Sequence, residues 1–517
     1  MMEFSQRSGW HRENAAQILL AVSGAASVLV SLVLMGARIF GAISFNEPLQ
    51  GMTRGVEYEM MYAIWQYVEG WPVYNDPNRI PFTASYYNWL HYVAYGEVVK
   101  AVQALLSLND VWLPTITRLT TLAGCLAGTW AIFHTAVDLF TIRQPLLRWL
   151  TLLFAIFLFL GPLLGFWAIA TGPDIWPMVF VVVAVHGFCR FYPNKRIAAI
   201  LIAALLSYAS WSFKQNFLYI PGTIGLFLLI RKDWTGVLGL AALFIGLAVL
   251  TFWIGGSEYT RSLLFRGTAT NLSWDVFFHN ATNAALKFLP VLFVFFTGLG
   301  ILMMSDRARR AVIEPIRARP ILMVPYLGVV VSLLEAGPSS AIVNAAENHY
   351  FPPAVFLTLA SLQMAVHISG EYRFNPVIAA SGVLGWSLNI LAVGTVLIGL
   401  QGIVSVRPFH EGLMAQKTCL QDITDPFYVT NSYLALPWII PSAQPFVVHF
   451  DYWQDVADNI AKEAGGIHGL IRDGYFATVA LPEDRSGSPL DDLDLSRYRP
   501  SQRGPCQGMI TYERISG

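Results

Sequence analysis

The sequence predicts an α-helical, polytopic membrane protein with about eleven transmembrane helices, a large first outer loop and a small C-terminal α/β domain. Three observations support this class. Hydrophobic residues make up 55% of the 517 positions and charged residues only 13%, whereas soluble domains carry about 25% charged residues. Long apolar runs recur along the first 403 residues. The loops between these runs alternate in basic charge.

Apolar runs of about 17 to 25 residues cross a bilayer as one helix, and the chain contains eleven candidates, two of them close to the short limit. They lie at 16–40, 111–139, 149–169, 174–191, 197–213, 216–231, 236–255, 286–304, 320–335, 352–368 and 377–403. The first run follows a polar segment and lacks a clear small-residue cleavage site. We therefore interpret it as a retained span and not as a signal peptide.

Basic residues in alternate loops predict the orientation. If Arg7 and Arg12 are cytoplasmic, the loops after the even-numbered spans are cytoplasmic too and should be rich in Lys and Arg. These loops contain Arg143, Arg148, Arg190, Lys195, Arg196, Arg231, Lys232, Arg307, Arg309, Arg310, Arg317, Arg319 and Arg373. With an odd number of spans, the tail then lies outside. Lys plus Arg equals Asp plus Glu, at 33 each, so net charge gives no indication of nucleic-acid binding.

The first loop, residues 45–110, is far longer than the about 4–6 residues of an ordinary connection. From Glu57 to Tyr92 it contains the sequence EYEMMYAIWQYVEGWPVYNDPNRIPFTASYYNWLHY. This stretch combines an acidic helix, a turn rich in Gly and Pro, and a cluster of tyrosines. Carboxylates, aromatic rings and a rigid turn at the membrane surface indicate chemistry at the boundary between lipid and water.

The tail, residues 404–517, is predicted to be a small α/β domain that covers the outer face. Strand-like runs (PFVVHF and YFATVAL) alternate with a helix-like stretch from Trp453 to Lys462, and glycines punctuate them. The segment 485–505 is poor in apolar residues and is predicted to be a long surface loop.

The four cysteines fit this division. Cys419 and Cys506 both lie in the outer tail, a compartment that permits disulfides, and are candidates for a bridge. Cys125 and Cys189 lie within predicted spans, where thiols most often pack as small hydrophobic groups. No Cys or His cluster has the spacing of zinc ligands.

The predicted topology brings polar residues from four distant segments to the outer surface. They are Glu57, Glu59, Asp174, Lys214, Gln215, Glu347, Asn348, His349 and Tyr350. Ionisable residues at membrane depth are costly and indicate function. Each also has a local explanation: acids begin helices, Asp can cap them, Lys can extend to the interface, and His often forms interfacial hydrogen bonds. Their convergence on one face is what favours a site.

Four short motifs follow one another in the chain. Glu57 opens the first outer helix and precedes GWPVYNDP (70–77) and SYYNWLHY (85–92). Pro173 and Asp174 begin a later span, and Lys214 and Gln215 end a helix rich in small residues. The last motif, ENHYF (347–351), enters a late span. In type and order these motifs resemble the integral-membrane glycosyltransferases of the GT-C superfold, which include the aminoarabinose transferases of lipid A and the protein O-mannosyltransferases.

The resemblance implies a GT-C-like catalytic domain over residues 1–403. It also implies transfer of a sugar from a polyprenyl-phosphate carrier to a lipid, polysaccharide or protein of the cell envelope, with inversion, in the bacterial inner membrane. Such transfer needs a base near the nucleophile and cationic or hydrogen-bonding groups on the leaving phosphate. Glu57 is the candidate base, with Glu59 as the alternative. Lys214, His349 and Arg266 are candidates for the phosphate.

Other residues complete the predicted site. Asp174 would orient Lys214 or the sugar, and the tyrosines would offer apolar faces to the sugar and the first isoprene units. The further substrate-binding candidates are Glu59, Tyr86, Tyr87, Gln215, Asn348 and Tyr350. No metal or other cofactor is expected, since Glu57 and Glu59 are two residues apart on a helix and do not face each other.

Two other classes of function fit parts of the sequence. A transporter would suit about eleven spans, because Glu, Asp, Lys and His inside membranes also mark ion pathways. However, carriers place such groups near the bilayer midplane, and the chain has no internal repeat. A binding or scaffold protein for surface polymers would use the tail but would leave the first loop unexplained.

Overall fold

The computed structural model describes residues 2–44, 56–264, 272–342, 345–369, 375–399, 406–449, 452–486, 488–501, 506 and 508–515. Arg266, Arg373 and residues 400–403 of the last predicted span lie outside these ranges. In chain order the α-helices are α1 (Met2–Ser44), α2 (Val56–Val68), α3 (Trp89–Leu106), α4 (Leu113–Leu139), α5 (Pro145–Leu160), α6 (Ile175–Phe191), α7 (Arg196–Phe213), α8 (Tyr219–Ile230), α9 (Trp234–Leu264), α10 (Trp274–Lys287), α11 (Leu289–Met304), α12 (Asp306–Ala318), α13 (Val324–Ser340), α14 (Phe351–Ser369), α15 (Pro376–Gly399), α16 (Val406–Leu420), α17 (Tyr452–Ala457) and α18 (Gly466–Arg472).

The structure has the predicted fold class, but the count of eleven spans is not confirmed. In the described part of the chain, seven helical segments are long and apolar enough to cross a membrane. The pair α10 and α11, which is bent by 88°, supplies an eighth if it counts as one span. Three further apolar helices, α5, α6 and α8, are shorter. An apolar helix therefore occupies each predicted position, although not every one has the length of a span.

Two of the short helices show why the count of eleven is not confirmed. With 12 residues, α8 is only about 18 Å long, against a hydrocarbon thickness of about 30 Å. The predicted span 149–169 stops being α-helical at Leu160, because Gly161 adopts an extended conformation with ψ of −173°. A separate 3₁₀ turn, Gly165–Ala168, follows. The sequence stays apolar across this break, so hydropathy alone does not detect the end of the helix.

The helices pack side by side around one continuous apolar core. Helix α6 lies against α4 and α7, and α15 lies against α1 and α11. Aromatic side chains fill the centre, where Trp386 of α15 contacts the rings of Phe154 and Phe157 on α5. Small residues permit close approach elsewhere, as in other membrane bundles. Gly328 of α13, for example, lies directly under the ring of Phe356 on α14.

The first loop folds as two helices that pack on the tail. Helix α2 carries Glu57 and Glu59 in its first turn, where acidic groups meet the positive end of the helix dipole. Its apolar residues share a buried cluster with the tail, in which Ile64 joins Leu434 and Trp438. The first loop and the tail are therefore one packed unit at one end of the bundle.

The tail contains the predicted small α/β domain, with a four-stranded mixed sheet. The strands are β1 (Phe427–Val429), β2 (Thr478–Pro482), β3 (Tyr498–Pro500) and β4 (Met509–Arg514), in the order β1-β2-β4-β3. Strand β1 runs parallel to β2, with Tyr428 opposite Val479, and β4 is antiparallel to both β2 and β3. Helices α17 and α18 lie between β1 and β2 in the chain.

One local prediction for the tail was wrong, and two were correct only in part. The run PFVVHF forms no strand over 445–449; instead its side chains alternate between two apolar clusters, with Val447 in one and Phe446 in the other. The helix predicted from Trp453 to Lys462 ends at Ala457, and Asn459 has a positive φ of 62°. The segment 485–505 includes strand β3, because β4 supplies its backbone partner.

The cysteines are arranged as predicted. Cys419, near the end of α16, forms a disulfide with Cys506, just before β4, across 87 residues of sequence. Cys125 and Cys189 are free and buried in the bundle. The bridge therefore links the first helix of the tail to its last strand.

Gly328 generates a test of the packing between α13 and α14. A Cβ at this position would lie 2.0 Å from Cδ1 of Phe356, whose ring is fully buried and has no room to move. We expect Gly328→Ala to lower the free energy of unfolding by about 1–3 kcal/mol through overpacking. Denaturant unfolding of the purified protein measures this change.

The matched control is Gly337→Ala on the same helix, where a Cβ would meet nothing within 4 Å. This variant should be neutral or stabilising by up to about 1 kcal/mol, since Ala has the higher helix propensity. Equal effects of the two substitutions would contradict the packing of α13 on α14.

Candidate functional site

A buried ion pair joins the first loop to the bundle. The Glu57 carboxylate accepts hydrogen bonds from Arg118 Nε at 3.3 Å and Arg118 Nη2 at 3.1 Å. Both residues are buried, with Glu57 0% and Arg118 2% exposed. Glu57 Oε1 also accepts from the backbone N–H of Thr171 at 2.9 Å. The charge of Glu57 is thus matched by a guanidinium in two-point geometry, which is the arrangement that offsets the cost of burial.

A second buried cluster surrounds Asp174, which lies three residues after Thr171 in the chain. Lys214 Nζ donates to Asp174 Oδ1 at 2.6 Å. Asn348 Nδ2 lies 3.3 and 3.4 Å from the two oxygens of the same carboxylate. Asp174, Lys214 and Asn348 are 2%, 7% and 8% exposed, respectively. Groups that are far apart in sequence therefore share one carboxylate, as the predicted convergence requires.

Local structure explains how these three side chains meet. Asp174 directly precedes α6, which begins after Gly172 and Pro173. Lys214 ends α7 with extended φ and ψ of −146° and 117°, so its side chain leaves the helix axis. Asn348 lies in a single 3₁₀ turn, Glu347–Tyr350, before α14. All three positions are helix termini at the same end of the bundle.

The segment 171–174 connects the two clusters. Thr171 Oγ1 donates to Thr117 Oγ1 of α4 at 2.7 Å, and Tyr95 of α3 donates to the carbonyl of Gly172 at 3.3 Å. Glu57 and Asp174 therefore hold charges at the two ends of one short segment that α3 and α4 also fix. Any movement of this segment would disturb both ion pairs.

The tyrosine-rich segment of the first loop covers Lys214 and Gln215. Gln215 Nε2 donates to the carbonyl of Tyr86 at 2.8 Å. The Tyr87 ring centroid lies 5.9 Å from Lys214 Nζ, within reach of a cation–π contact. Asn88 Nδ2 donates to the carbonyl of Trp211 at 3.0 Å, which fixes the segment on α7. Aromatic faces and a cation are thus adjacent.

The tail holds this tyrosine-rich segment from the other side. Tyr86 Oη lies 2.8 Å from Nδ1 of His449, and the backbone N–H of His449 donates to the carbonyl of Phe82 at 3.1 Å. The Phe82 ring is fully buried in the apolar core of the tail. Lys462 Nζ donates to Asn78 Oδ1 at 2.8 Å and to Asp455 Oδ2 at 2.7 Å. The C-terminal domain therefore determines where the tyrosines lie.

Burial keeps His449 neutral. Its side chain is 1% exposed, and burial, followed by the nearby charge of Lys462, lowers the pKa of His449 to about 3. Nε2 of the ring lies 3.4 Å from Asp455 Oδ2. A neutral ring that carries its proton on Nε2, toward this carboxylate, leaves Nδ1 to accept the hydrogen bond from Tyr86. The Tyr86 hydroxyl is then oriented by the tail.

The remaining predicted residues do not all contact the two buried clusters. Glu59 is 5% exposed on the same turn of α2 as Glu57. Tyr350 points to α13, where its hydroxyl lies 3.0 Å from Ser340 Oγ, and Glu347 pairs with Lys287. His349 lies between them on the 3₁₀ turn, next to Asn348. Arg266 lies outside the described residues.

Sequence reasoning missed two residues of this site. Arg118 lies in TRLTTLAG, within a predicted span, and an arginine at membrane depth is itself a signal that was not used. His449 had no comparable signal, because the run PFVVHF was interpreted as a strand. Among the described residues, no group of three or more His, Cys, Asp or Glu side chains is arranged to hold a metal ion.

The Asp174–Lys214 pair generates a double-mutant prediction. Lys214→Met leaves the Asp174 carboxylate buried with only the Asn348 amide, so we expect a loss of about 3–5 kcal/mol in the free energy of unfolding. The double variant Asp174→Asn/Lys214→Met should lose less than the sum of the single variants. Denaturant titrations of the four proteins give the coupling energy.

The exposed pair Lys100 and Glu97, 3.6 Å apart on α3, is the control for this cycle. Its coupling should stay within about 1 kcal/mol. Strict additivity of the Asp174 and Lys214 substitutions would contradict the buried pair.

His449 generates a prediction for pH dependence. Its pKa is about 3 when folded and about 6.5 when unfolded, so the unfolded chain binds the additional proton between these values. The stability from the neutral ring is present above about pH 6.5 and is lost as pH falls toward 3. His449→Gln should therefore reduce the slope of unfolding free energy against pH by up to about 1.4 kcal/mol per pH unit in this window.

His468, which lies partly exposed in the same domain, provides the matched control. His468→Gln controls for the loss of a partly exposed imidazole, in contrast to the buried ring of His449. An unchanged slope in His449→Gln would show that this ring is not held neutral.

Comparison with known proteins supports the fold. No model of a protein family matches the sequence, and neither does any curated protein. The crystal structure of ArnT from Cupriavidus metallidurans bound to undecaprenyl phosphate is similar, with a TM-score of 0.56 and 12% identity, over 95% of this chain and 98% of ArnT. The apo state of the same ArnT gives 0.52 and 13%, over 94% and 97%. The chain therefore has the GT-C fold over almost its whole length, as its motifs imply.

Proposed function

We propose that the protein is a membrane glycosyltransferase that moves a sugar from a polyprenyl-phosphate carrier to an acceptor of the cell envelope. In this proposal the first loop and the tail lie on the periplasmic side of the bacterial inner membrane, and the N-terminus is cytoplasmic. The alternation of basic loops supports this orientation. The undecaprenyl phosphate bound to ArnT, which shares the fold, supports the class of donor.

The observation that carries the proposal is the buried Asp174–Lys214–Asn348 cluster beneath the tyrosines. A lysine ammonium has three N–H donors, and of the described residues only Asp174 accepts from Lys214 Nζ. The other donors are available to a phosphate oxygen. Because Asp174 and Asn348 fix the lysine beforehand, little reorganisation is needed when negative charge develops on a leaving group.

The reaction is a single displacement. An oxygen or nitrogen of the acceptor attacks the anomeric carbon as the bond from that carbon to the phosphate oxygen breaks. The lipid phosphate leaves with the bonding electrons, and Lys214 balances its charge. The proton of the nucleophile passes to a carboxylate, and the anomeric configuration inverts. Tyr86 and Tyr87 are adjacent and offer aromatic faces to the sugar.

Glu57 is the proposed base, with Glu59 as the alternative. Arg118 and the Thr171 amide fix the Glu57 carboxylate in one orientation, which is what a base needs in order to meet one particular hydroxyl. An incoming hydroxyl has to compete with these donors for the carboxylate oxygens. Glu59 lies two residues further along α2 and is also buried. The two acids are therefore tested separately.

We propose that no metal ion takes part. Glu57 already faces a guanidinium and Asp174 an ammonium, so the two carboxylates nearest the site have cationic partners from the protein itself. Lys214 supplies the positive charge that a divalent ion would otherwise bring to the phosphate.

Label transfer tests the proposal. The purified protein is mixed with a radiolabelled polyprenyl-phosphate sugar and a cell-envelope extract. Glu57→Gln should lower the transfer rate by about 10²–10⁴-fold, as expected for loss of a general base. The substitution keeps the shape of the side chain and one acceptor oxygen for Arg118 but removes the charge that balances this buried guanidinium, so we also expect a lower free energy of unfolding. Denaturant unfolding of the variant therefore establishes that the protein assayed for transfer is folded.

Glu97→Gln, on the exposed surface of α3, is the matched control and should transfer at the original rate. Unimpaired transfer by Glu57→Gln together with loss in Glu59→Gln would move the base to Glu59. Ion flux in liposomes without transfer by the native protein would replace the glycosyltransferase proposal with a transporter.

A further inference from the structure

A cavity with several charged lining residues lies at the opposite end of the bundle from the candidate site. Its volume is about 670 Å³, and it is formed where α4 and α6 end. The chemically distinctive lining residues are Trp130, His134, Asp138, Arg143, His186 and Arg190. Arg118 and Asp138 are both on α4, 20 residues apart, which corresponds to about 30 Å. The cavity is therefore separate from the ion pairs described above.

In the described part of the chain, the ionisable side chains of this cavity form no hydrogen bonds with one another, unlike those of the candidate site. Asp138 forms a long ion pair of 3.9 Å with Arg190 Nη1 and lies 3.9 Å from His186 Nε2, and both distances are too long for a hydrogen bond. Nδ1 of His186 is buried and has no hydrogen-bond partner in the described part of the chain. The carboxylate of Asp138 therefore balances Arg190 only loosely, so the oxygens of a ligand can compete for this guanidinium.

The charge of the cavity favours an anion. Arg143 and Arg190 are permanently positive, whereas Asp138 is the one acidic residue among the described lining residues. Arg143 forms no ion pair with any described residue, and its side chain is exposed. The guanidinium fork matches the oxygens of a phosphate group. The C-terminal ends of α4 and α6 each carry a partial negative charge of about half an elementary charge. Their repulsion of an anion is weaker than the attraction by the two guanidinium groups.

The remaining lining indicates that the anion belongs to a lipid. Apolar residues of the same cavity (Ala131, Val137 and Val183) continue along the helices, as the chains of a lipid would require. Trp130 is 66% exposed and its ring lies 4.5 Å from that of His134, as in the aromatic belt at the membrane interface. Helix ends at this level meet lipid phosphates.

We propose that this cavity binds the phosphate headgroup of an anionic phospholipid. Arg143 and Arg190 contact the phosphate oxygens, and the acyl chains follow the apolar lining. The site is independent of sugar transfer.

Native mass spectrometry tests the proposal, with phosphatidylglycerol and phosphatidylcholine titrated separately into the detergent-purified full chain. The native protein should bind phosphatidylglycerol at least about tenfold more tightly. Arg143→Gln/Arg190→Gln should remove this preference. Val183→Trp, which fills the cavity from a partly exposed position without changing charge, should remove it as well.

The control Arg309→Gln/Arg310→Gln removes the same charge from α12 and should retain the preference. Equal loss in both double variants, or retention in Val183→Trp, would mean general surface attraction and would overturn the site. Inorganic phosphate and glycerol phosphate form a third arm. If they bind as tightly as phosphatidylglycerol, with the same sensitivity to substitution, the ligand is a soluble anion and the lipid assignment fails.

Discussion

The buried pair of Glu57 and Arg118 is the interaction on which the arrangement of this protein depends. Removing two charges from water costs several kcal/mol each, and only two-point geometry and the additional Thr171 amide offset that cost. The pair links α2 of the first loop to α4 of the bundle and fixes the segment that leads to Asp174. The first loop therefore cannot shift without uncovering a charge.

Hydrogen bonds and ion pairs between buried polar groups also hold the candidate site in one arrangement. Asp174 is shared by Lys214 and Asn348, and the Tyr86 carbonyl and hydroxyl are both engaged, by Gln215 and His449. Electrostatic catalysis requires that dipoles and charges be oriented before the reaction. A cluster held from α2, α6, α7 and the turn before α14 meets that requirement. It also makes the tail part of the site, because the tail positions the tyrosines.

The two ends of the bundle contrast in this respect. At the Glu57 end, the buried charges are partnered within the chain. At the Arg143 end, Asp138 and Arg190 form only a long ion pair of 3.9 Å, and Arg143 forms no ion pair with any described residue.

Hydropathy and local motifs alone determined the class of fold, the positions of the apolar helices, the α/β character of the tail and the residues Asp174, Lys214 and Asn348. Those features depend on neighbouring residues in the chain, so they are readable from it. Tertiary structure alone decided that Glu57 pairs with Arg118, that His449 holds Tyr86, and that PFVVHF lies between two clusters without strand partners. It also decided how many apolar helices have the length of a span. The physical reason is that the partner of a buried charge or backbone strand is set by which distant elements become neighbours.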